Sequence, residues 1–374
     1  MKIRYLIIVP LILLILPLCF SCNGEDVSGK EDYILNLPPM KDHFAKHFMI
    51  GNIMNPSDAG SNISNPFLTH HFNVLTCENE MKPDKLGNKQ WTNADRMVDA
   101  AIKSGFKVVG HTLLWHSQNA SWMNSSVNKT QMENYIKEVV GRYKGRIHSW
   151  DVLNEAFPDG GYTSDWKTSI RPENPWFKSI GSDFVYEGFL AARFADPKAI
   201  LYYNDYNTDQ VGKATMIRNM VLEVNNKYIA LPSDQKPAGE EAGRLLIEGI
   251  GMQEHHNLGV NANNIRNTLT MFKNMTFTGS TKKIIVSVSE LDVLSQSWND
   301  YSNKKSITDQ DRASQAVKYG EYMKVYIEFR DIIERVSLWG VTDDKSWRAR
   351  GEPLLFEANG LAKPAYHSFV GALQ

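Results

Sequence analysis

Eight apolar runs recur along this chain, and each is separated from the next by a segment with helical spacing. The runs are rich in Val, Ile and Leu, which is typical of strands buried on both faces of a parallel sheet. They cover residues 47–54, 72–78, 107–113, 147–154, 199–204, 249–255, 283–290 and 335–342. Eight such units predict a closed (β/α)₈ barrel with its helices on the outside.

The length and charge of the chain agree with one large barrel. It has 374 residues, and barrels of this kind take roughly 250 to over 400 residues. Lysine and arginine number 41 against 42 acidic residues, which disfavours a nucleic-acid partner because such a partner selects a basic face. We therefore expect one barrel domain over residues 37–374, acting as a monomer.

The first residues carry the features of an export signal. Lys2 and Arg4 precede an apolar run that is short for a membrane span and is interrupted by two prolines. The sequence around Cys22 then resembles the bacterial lipoprotein processing site, at which the cysteine becomes the lipidated first residue. We predict a signal peptide over residues 1–21 and a flexible, charged tether over residues 22–36.

These features predict where the protein resides. We expect an exported protein that is a lipoprotein of the outer membrane or cell surface, or else is periplasmic or secreted. A lipid on Cys22 would be its only attachment to a membrane.

Cys77 is the one cysteine of the body, so no disulfide can form within the body. Its stability must then come from a large hydrophobic core.

One connecting segment shows how a helix of the outer layer is encoded. Thr130 and Glu133 have the spacing of a capping box, in which each side chain bonds the other's free backbone N–H. Apolar residues then recur at helical spacing up to Tyr143, and Gly145 stands where a helix commonly ends. We predict a helix from Thr130 to about Tyr143 with one face against the sheet.

Polar and aromatic residues follow the second to the eighth strand runs. In a (β/α)₈ barrel these strand ends form the active site, and such a ring of side chains suits a ligand covered in hydroxyl groups. The residues are Glu78, Asn79 and Lys82; His111, Trp115 and His116; Asn154 and Glu155; Asn204, Asp205, Tyr206 and Asn207; Gln253, Glu254, His255 and His256; Glu290 and Asp292; and Trp339 and Asp343.

Two of these residues, Glu155 and Glu290, are carboxylic acids at the ends of separate strands. Breaking a glycosidic bond needs one acid to protonate the leaving oxygen and a second carboxylate to meet the positive charge at the sugar carbon. The pair therefore indicates sugar chemistry. The alternative is a salt-bridged structural pair at the barrel rim.

Seven motifs follow one another along the body of the chain. They are Thr76-Cys-Glu78-Asn79-Glu-Met-Lys82, Gly110-His111-Thr-Leu-Leu-Trp115-His116, Trp150-Asp-Val-Leu-Asn154-Glu155, Tyr203-Asn204-Asp205-Tyr206-Asn207, Gly249-Ile-Gly-Met-Gln253-Glu-His255, Ser289-Glu290-Leu-Asp292, and Trp339-Gly-Val-Thr-Asp343 to Ser346-Trp347. In this order they resemble glycoside hydrolase family 10, the retaining endo-1,4-β-xylanases, from about residue 37 to the C-terminus. The resemblance implies hydrolysis of internal β-1,4-xylosidic bonds in xylan or xylo-oligosaccharides, without a cofactor.

The resemblance also implies distinct roles for the two glutamates, and the chemistry agrees with them. Glu155 corresponds to the acid/base, which must be protonated when it meets the substrate. Glu290 corresponds to the nucleophile, which must be ionised. In a retaining enzyme their carboxyl groups are expected to lie about 5–5.5 Å apart, close enough for direct attack on the sugar.

Four nearby residues are expected to support these glutamates. Asn154 is placed to bond the 2-hydroxyl of the reacting sugar, a contact that strengthens in the transition state. His255 is expected directly behind Glu290. Asp292, two residues beyond Glu290 on one strand, points to the same side and is placed to orient the His255 ring. Gln253 faces the same cavity.

Further residues are assigned to substrate binding by the resemblance. Hydroxyl groups on the glycone side would be bound by Glu78, Asn79, Lys82 and His111. The walls and roof of the cleft would be formed by Trp115, Trp339 and Trp347, with Tyr206 stacking on the leaving-group side.

Several alternatives stay open at this point. A β-1,4-glucanase would use the same carboxylates, and a non-catalytic glycan-binding surface lipoprotein would keep the cleft without turnover. Asp151 belongs either to the rim or to the support of the site. Four histidines are candidate ligands for a metal ion, namely His111, His116, His255 and His256. They do not form a His-x-His or His-x-x-x-His pattern with carboxylates at ligand spacing, so no metal is expected.

Overall fold

The computed structural model describes residues 27–374. The predicted signal peptide and Cys22 lie outside these residues. The described chain forms a barrel of eight parallel strands, closed by pairing between the first and the last of them, and this confirms the predicted (β/α)₈ fold. The described sheet has nine strands, namely the eight of the barrel and the short β7: β1 Met49–Met54, β2 Val74–Cys77, β3 Lys107–Leu114, β4 Ser149–Asn154, β5 Ile200–Asp205, β6 Gly249–Met252, β7 His255–His256, β8 Ile285–Val293 and β9 Ile333–Leu338.

Each of the eight predicted runs overlaps one barrel strand. The two-residue β7 is additional, since it continues the sixth run beyond β6 and pairs only with β8. Helices separate most of the strands and cover the outside of the barrel. They are α1 Met40–His43, α2 Pro66–His71, α3 Pro83–Leu86, α4 Trp91–Lys103, α5 Lys129–Arg142, α6 Pro175–Ile180, α7 Asp183–Ala195, α8 Val211–Ile229, α9 Ala262–Lys273, α10 Trp298–Ser302, α11 Asp309–Glu328 and α12 Pro364–Gly371.

A glycine in one strand allows large neighbouring side chains to fill the barrel. A Cβ atom at Gly249 would lie 2.3 Å from the ring of Tyr202, which is fully buried. The Arg335 guanidinium carbon lies 4.8 Å from the centre of the same ring, and the Arg335 Nη1 donates to the Ser149 hydroxyl at 3.3 Å. The interior is therefore a packed core, as is usual for this fold, and only the strand ends are free to form a site.

The start of α5 differs from the prediction. The Asn128 side chain accepts a hydrogen bond from the Gln131 N–H, and the Gln131 side chain accepts one from the Asn128 N–H, each at 2.9 Å. The predicted box of Thr130 and Glu133 is wrong, because this pair fills both capping roles two residues earlier. Gly145 follows the helix with φ 74°, in the left-handed region that favours glycine.

The described part of the predicted tether packs on the barrel domain. Ile34 is fully buried, and its N–H donates to the carbonyl oxygen of Gly360 at 2.9 Å. The Ala362 N–H donates to the Asp32 carbonyl oxygen at 3.0 Å. The prediction of a flexible tether over residues 22–36 is therefore wrong for its second half, because an apolar side chain there has a place in the core. No helix between residues 27 and 374 is long and apolar enough to cross a membrane.

Candidate active site

The two glutamates singled out in the sequence lie at adjacent positions on the C-terminal side of the barrel. Glu155 directly follows β4, and its N–H donates to the carbonyl oxygen of Asn204 at 2.8 Å. Glu290 lies within β8, and its N–H donates to the carbonyl oxygen of Gln253 at 3.0 Å. Backbone hydrogen bonds to neighbouring strands therefore hold both residues in place.

Amide side chains connect the two carboxylates. The Asn204 Nδ2 lies 2.8 Å from Glu290 Oε1 and 3.0 Å from Asn154 Oδ1. The Asn154 Nδ2 lies 3.3 Å from Glu155 Oε1. The Gln253 Nε2 lies 2.9 Å from the same Glu155 oxygen and 3.2 Å from Asn154 Oδ1. The two glutamates therefore share one cavity and one hydrogen-bond network.

Asn204 is a site residue to which the sequence analysis assigned no role. Its Oδ1 accepts a hydrogen bond from the Ser289 hydroxyl at 2.6 Å, which orients the amide so that its NH₂ group faces Glu290. The signals in the sequence were its place at the end of the fifth run and in the motif Tyr203–Asn207. Its contact with Glu290 arises from the packing of side chains inside the closed barrel.

The side chains that donate hydrogen bonds to the Glu155 carboxylate carry no full positive charge. The Trp115 indole Nε1 donates to Glu155 Oε2 at 2.8 Å. His116, which also had no assigned role, has its Nδ1 3.8 Å from the same oxygen. Burial lowers the pKa of His116, although the charge of Glu155 opposes this. His116 is therefore neutral at pH 7, and hydrogen bonds from neutral donors suit a group that must give and take back a proton.

Glu290 has a different environment. It is buried, and His255 Nε2 lies 3.3 Å from its Oε2. Burial by itself would raise the pKa of Glu290. The hydrogen bond from His255, the electrostatic interactions with His111 and His255, and the hydrogen bond from Asn204 outweigh burial and leave the pKa of Glu290 below its ordinary value. Glu290 is therefore held as a carboxylate, the state in which it can attack carbon.

The charge of His255 depends on a second carboxylate. Its Nδ1 lies 2.9 Å from Asp292 Oδ2. Burial would lower the pKa of His255, but the charge of Asp292, its hydrogen bond and the contact with Glu290 raise that pKa to about 9. The ring is therefore an imidazolium at neutral pH, with one N–H directed to each carboxylate.

The Asp292 carboxylate accepts hydrogen bonds from three side chains of the site. Besides His255, its Oδ2 accepts a hydrogen bond from the Trp347 Nε1 at 2.9 Å, and its Oδ1 accepts one from the Arg348 Nη1 at 2.6 Å. Burial opposes the charge of Asp292, but His255 and Arg348 lower its pKa below the ordinary value. A single buried carboxylate thus orients the histidine behind Glu290 and one of the predicted roof tryptophans.

The charge of His255 leads to a prediction about stability. Because its folded-state pKa is raised to about 9, its contribution is fully present below the ordinary pKa of 6.5 and is lost as pH rises through about 9. We expect the free energy of unfolding to fall between pH 6.5 and 9, and His255→Gln to lack this part of the decline. Urea unfolding of both proteins across this range measures the difference. Parallel declines in the two proteins would contradict the prediction.

The predicted glycone contacts form one side of the cavity. Lys82 Nζ lies 3.0 Å from Asn79 Oδ1 and 5.5 Å from the centre of the Trp115 ring. Burial lowers the pKa of Lys82, while the charges of Glu290 and Glu78 oppose this effect. The ammonium group therefore interacts electrostatically with Glu290, and the two N–H donors that do not bond to Asn79 are available to sugar hydroxyls.

His111 lies near the two tryptophans, Trp339 and Trp347, that were predicted to line the cavity. His111 Nδ1 lies 2.9 Å from Asp151 Oδ2, and both side chains are buried, so Asp151 supports the site and does not line the rim. The Trp339 ring packs edge-on against His111 and His255, at centroid distances of 5.6 and 6.4 Å. Trp347 packs edge-on against His255 at 5.0 Å and is 60% exposed.

Tyr206 lies on the opposite side, near Glu155. Its hydroxyl accepts a hydrogen bond from Arg171, whose Nε also donates to the Glu155 carbonyl oxygen at 3.0 Å. The Lys213 Nζ lies 3.7 Å from the centre of the Tyr206 ring. Lys213 therefore covers one face of this ring, and a sugar can stack only on the other face.

His256 lies away from the cavity, as the alternation along the strand predicts. Its Nε2 lies 2.8 Å from Glu254 Oε2, which also accepts a hydrogen bond from the Tyr326 hydroxyl at 2.6 Å. All three are buried behind the site. Among residues 27–374, no group of three His, Cys, Asp or Glu side chains is arranged to hold a metal ion.

A closed (β/α)₈ barrel with two carboxylates in one cavity at its C-terminal strand ends defines a glycoside hydrolase. Comparison with known proteins gives the family. The sequence profile of glycosyl hydrolase family 10 matches residues 39–372, so the chain belongs to this family. The members of the family are retaining enzymes.

Individual relatives agree with this membership. The chain is 32% identical over 358 residues to an endo-1,4-β-xylanase of Geobacillus stearothermophilus, an alignment that covers 90% of this chain and 98% of the relative. An endo-1,4-β-xylanase A of Thermotoga neapolitana is also 32% identical, over 89% of this chain but only 31% of its own length. A crystal structure of a termite-gut family 10 xylanase that contains a bacterial Ig-like domain superposes with a TM-score of 0.83. It is 51% identical, over 91% of this chain and 78% of that one.

Proposed function

We propose that this protein is an endo-1,4-β-xylanase that cleaves internal bonds of xylan or xylo-oligosaccharides with retention of configuration. Its relatives are xylanases by name. One observation carries the assignment of roles: Glu290 lies against the cationic His255, whereas Glu155 lies among neutral donors. The first environment keeps a nucleophile ionised, and the second allows a proton to be given and taken back.

In the first step Glu155 gives its proton to the glycosidic oxygen while Glu290 attacks the anomeric carbon. The carbon–oxygen bond to the leaving sugar breaks, and an ester bond to Glu290 forms. Asn154, which contacts both Glu155 and Asn204, is placed to bond the 2-hydroxyl of the reacting sugar. The negative charge of Glu290 disappears in this step and the charge of Glu155 appears.

In the second step water enters where the leaving sugar was. Glu155 takes a proton from the water, whose oxygen attacks the anomeric carbon, and the ester bond to Glu290 breaks. Glu290 leaves as a carboxylate and returns to the hydrogen bonds of Asn204 and His255. Two inversions at one carbon give net retention, and both glutamates end in their starting states.

The substrate is tested by comparing polysaccharides. We expect release of reducing ends from xylan to exceed release from β-glucan and carboxymethylcellulose, because glucose carries a CH₂OH group that Lys82 and Trp347 would crowd. Glu290→Ala is the blank for each substrate. Equal or faster release from β-glucan would favour the β-1,4-glucanase, and folded protein that releases reducing ends from none of the three would leave a non-catalytic glycan-binding protein.

We also propose that the protein acts outside the cytoplasm as a monomer, exported and anchored by a lipid on Cys22. The support is the basic start, the apolar run and the cysteine context of the sequence. Membrane attachment through one lipid would leave the barrel free to meet a polymer. Cys22→Ala is expected to move the protein from the membrane fraction to the soluble fraction, and an unchanged distribution would contradict the anchor.

A further inference from the structure

An aromatic cluster outside the assigned site lies next to its roof. Among the described residues few large apolar side chains are strongly exposed, and two of them are Trp298, at 59%, and Trp347, at 60%. Both rings lie near the Arg348 guanidinium carbon, at 6.0 and 5.6 Å from their centres. Trp298 and Trp347 therefore flank the same guanidinium group, although 49 positions separate them in the sequence.

The cluster has a fixed structure. Trp298 begins α10, the short helix after β8, where the Ser297 hydroxyl caps the helix by accepting from the Asp300 N–H at 3.2 Å. The Tyr301 ring lies 5.7 Å from the Trp298 ring. A Cβ atom added at Gly351 would lie 3.1 Å from Tyr301, so this ring rests directly on that backbone. The exposed Trp298 indole therefore lies against the Tyr301 ring, which in turn packs on the Gly351 backbone.

The cluster is also tied to the catalytic cavity. Arg348 is buried and donates to Asp292, the same carboxylate that accepts from Trp347 and contacts His255. The position of Trp298 relative to Trp347 is therefore held by the network that orients the groups behind Glu290. Exposed aromatic side chains that are held next to a ligand cleft are typical of a binding surface.

The chemistry of the surface indicates its ligand. A fixed, exposed tryptophan ring offers a flat apolar face of the kind on which the C–H face of a pyranose packs. We propose that Trp298, supported by Tyr301, forms an additional sugar-binding platform beside Trp347 that stacks on a xylose unit of a long chain. The platform would contact sugars beyond those at the cleaved bond, and it rests on the proposed function as a xylanase.

Kinetics on long and short substrates test the platform. For Trp298→Ala we expect KM for polymeric xylan to rise roughly 2- to 10-fold, the scale of one aromatic stacking contact, with kcat nearly unchanged. KM for an aryl xylobioside should stay constant, because this substrate is too short to reach the platform. Trp298→Phe should restore most of the affinity for xylan.

Phe194→Ala is the matched control, since Phe194 is 45% exposed on the outside of the barrel in α7. The proposal is overturned if Trp298→Ala leaves KM for xylan unchanged, if Phe194→Ala raises it equally, or if the short substrate is affected as strongly. The proposed function would fail separately, since the unaltered protein would then not hydrolyse xylan. In that event, binding to insoluble xylan is compared for Glu290→Ala and for Glu290→Ala combined with Trp298→Ala. Equal retention of the two proteins would overturn the platform.

Discussion

Replacing Glu290 with alanine is expected to abolish turnover of xylan and of aryl xylosides alike. The loss should be on the order of 10⁵- to 10⁶-fold in kcat, the scale seen when an enzyme loses its covalent nucleophile. The variant removes the only group placed to form the ester and leaves His255 and Asn204 facing an empty space. Initial rates with both substrates measure the loss.

A small nucleophile distinguishes a missing carboxylate from a damaged fold. Azide added to Glu290→Ala should enter the vacated space, displace an activated phenolate from an aryl β-xyloside, and give the α-xylosyl azide. The product has the opposite configuration because only one displacement occurs. Glu357→Ala, which removes an exposed glutamate, should keep full activity. A β-azide from Glu290→Ala would contradict the nucleophile assignment.

Replacing Glu155 with alanine is expected to separate substrates by their leaving groups. Hydrolysis of xylan should fall by about 10²- to 10⁴-fold, because its alkoxide cannot leave without a proton. An aryl xyloside with an acidic phenol should still react in the first step, since its leaving group needs no proton. Stopped-flow release of the phenol should then show a rapid burst followed by slow turnover.

The slow phase of Glu155→Ala reflects the missing base. Azide needs no base, so it should accelerate turnover and give the β-xylosyl azide, the product of two displacements. Trp115→Phe is a useful comparison, because it removes the 2.8 Å hydrogen bond to Glu155 and keeps the carboxyl group. Equal losses of Glu155→Ala on xylan and on the activated aryl substrate would argue against the acid/base role.

The corrected positions of the capping box and of the tether have a common physical origin. The capping box was placed at Thr130 and Glu133, whereas Asn128 and Gln131 form it, because several polar side chains near a helix start can compete for the same N–H groups. The tether was extended too far because Ile34 is buried by residues near the C-terminus. In both places the structure depends on which hydrogen-bond or packing partner a residue contacts in the folded protein. The amino-acid composition of the segment does not show which partner that is.

The eight strands, the closed barrel and the family follow from the sequence, since these depend on repeated apolar runs and on motifs that are read in order. The motifs also imply the separate roles of Glu155 and Glu290. The side chains that support each role come together only in the folded protein. Closure of the barrel brings Asn204 and His255 to Glu290, and Trp115 to Glu155, across 35 to 86 positions of sequence. The pKa of Glu290 depends on burial and on its partners, and both exist only after the strands have closed.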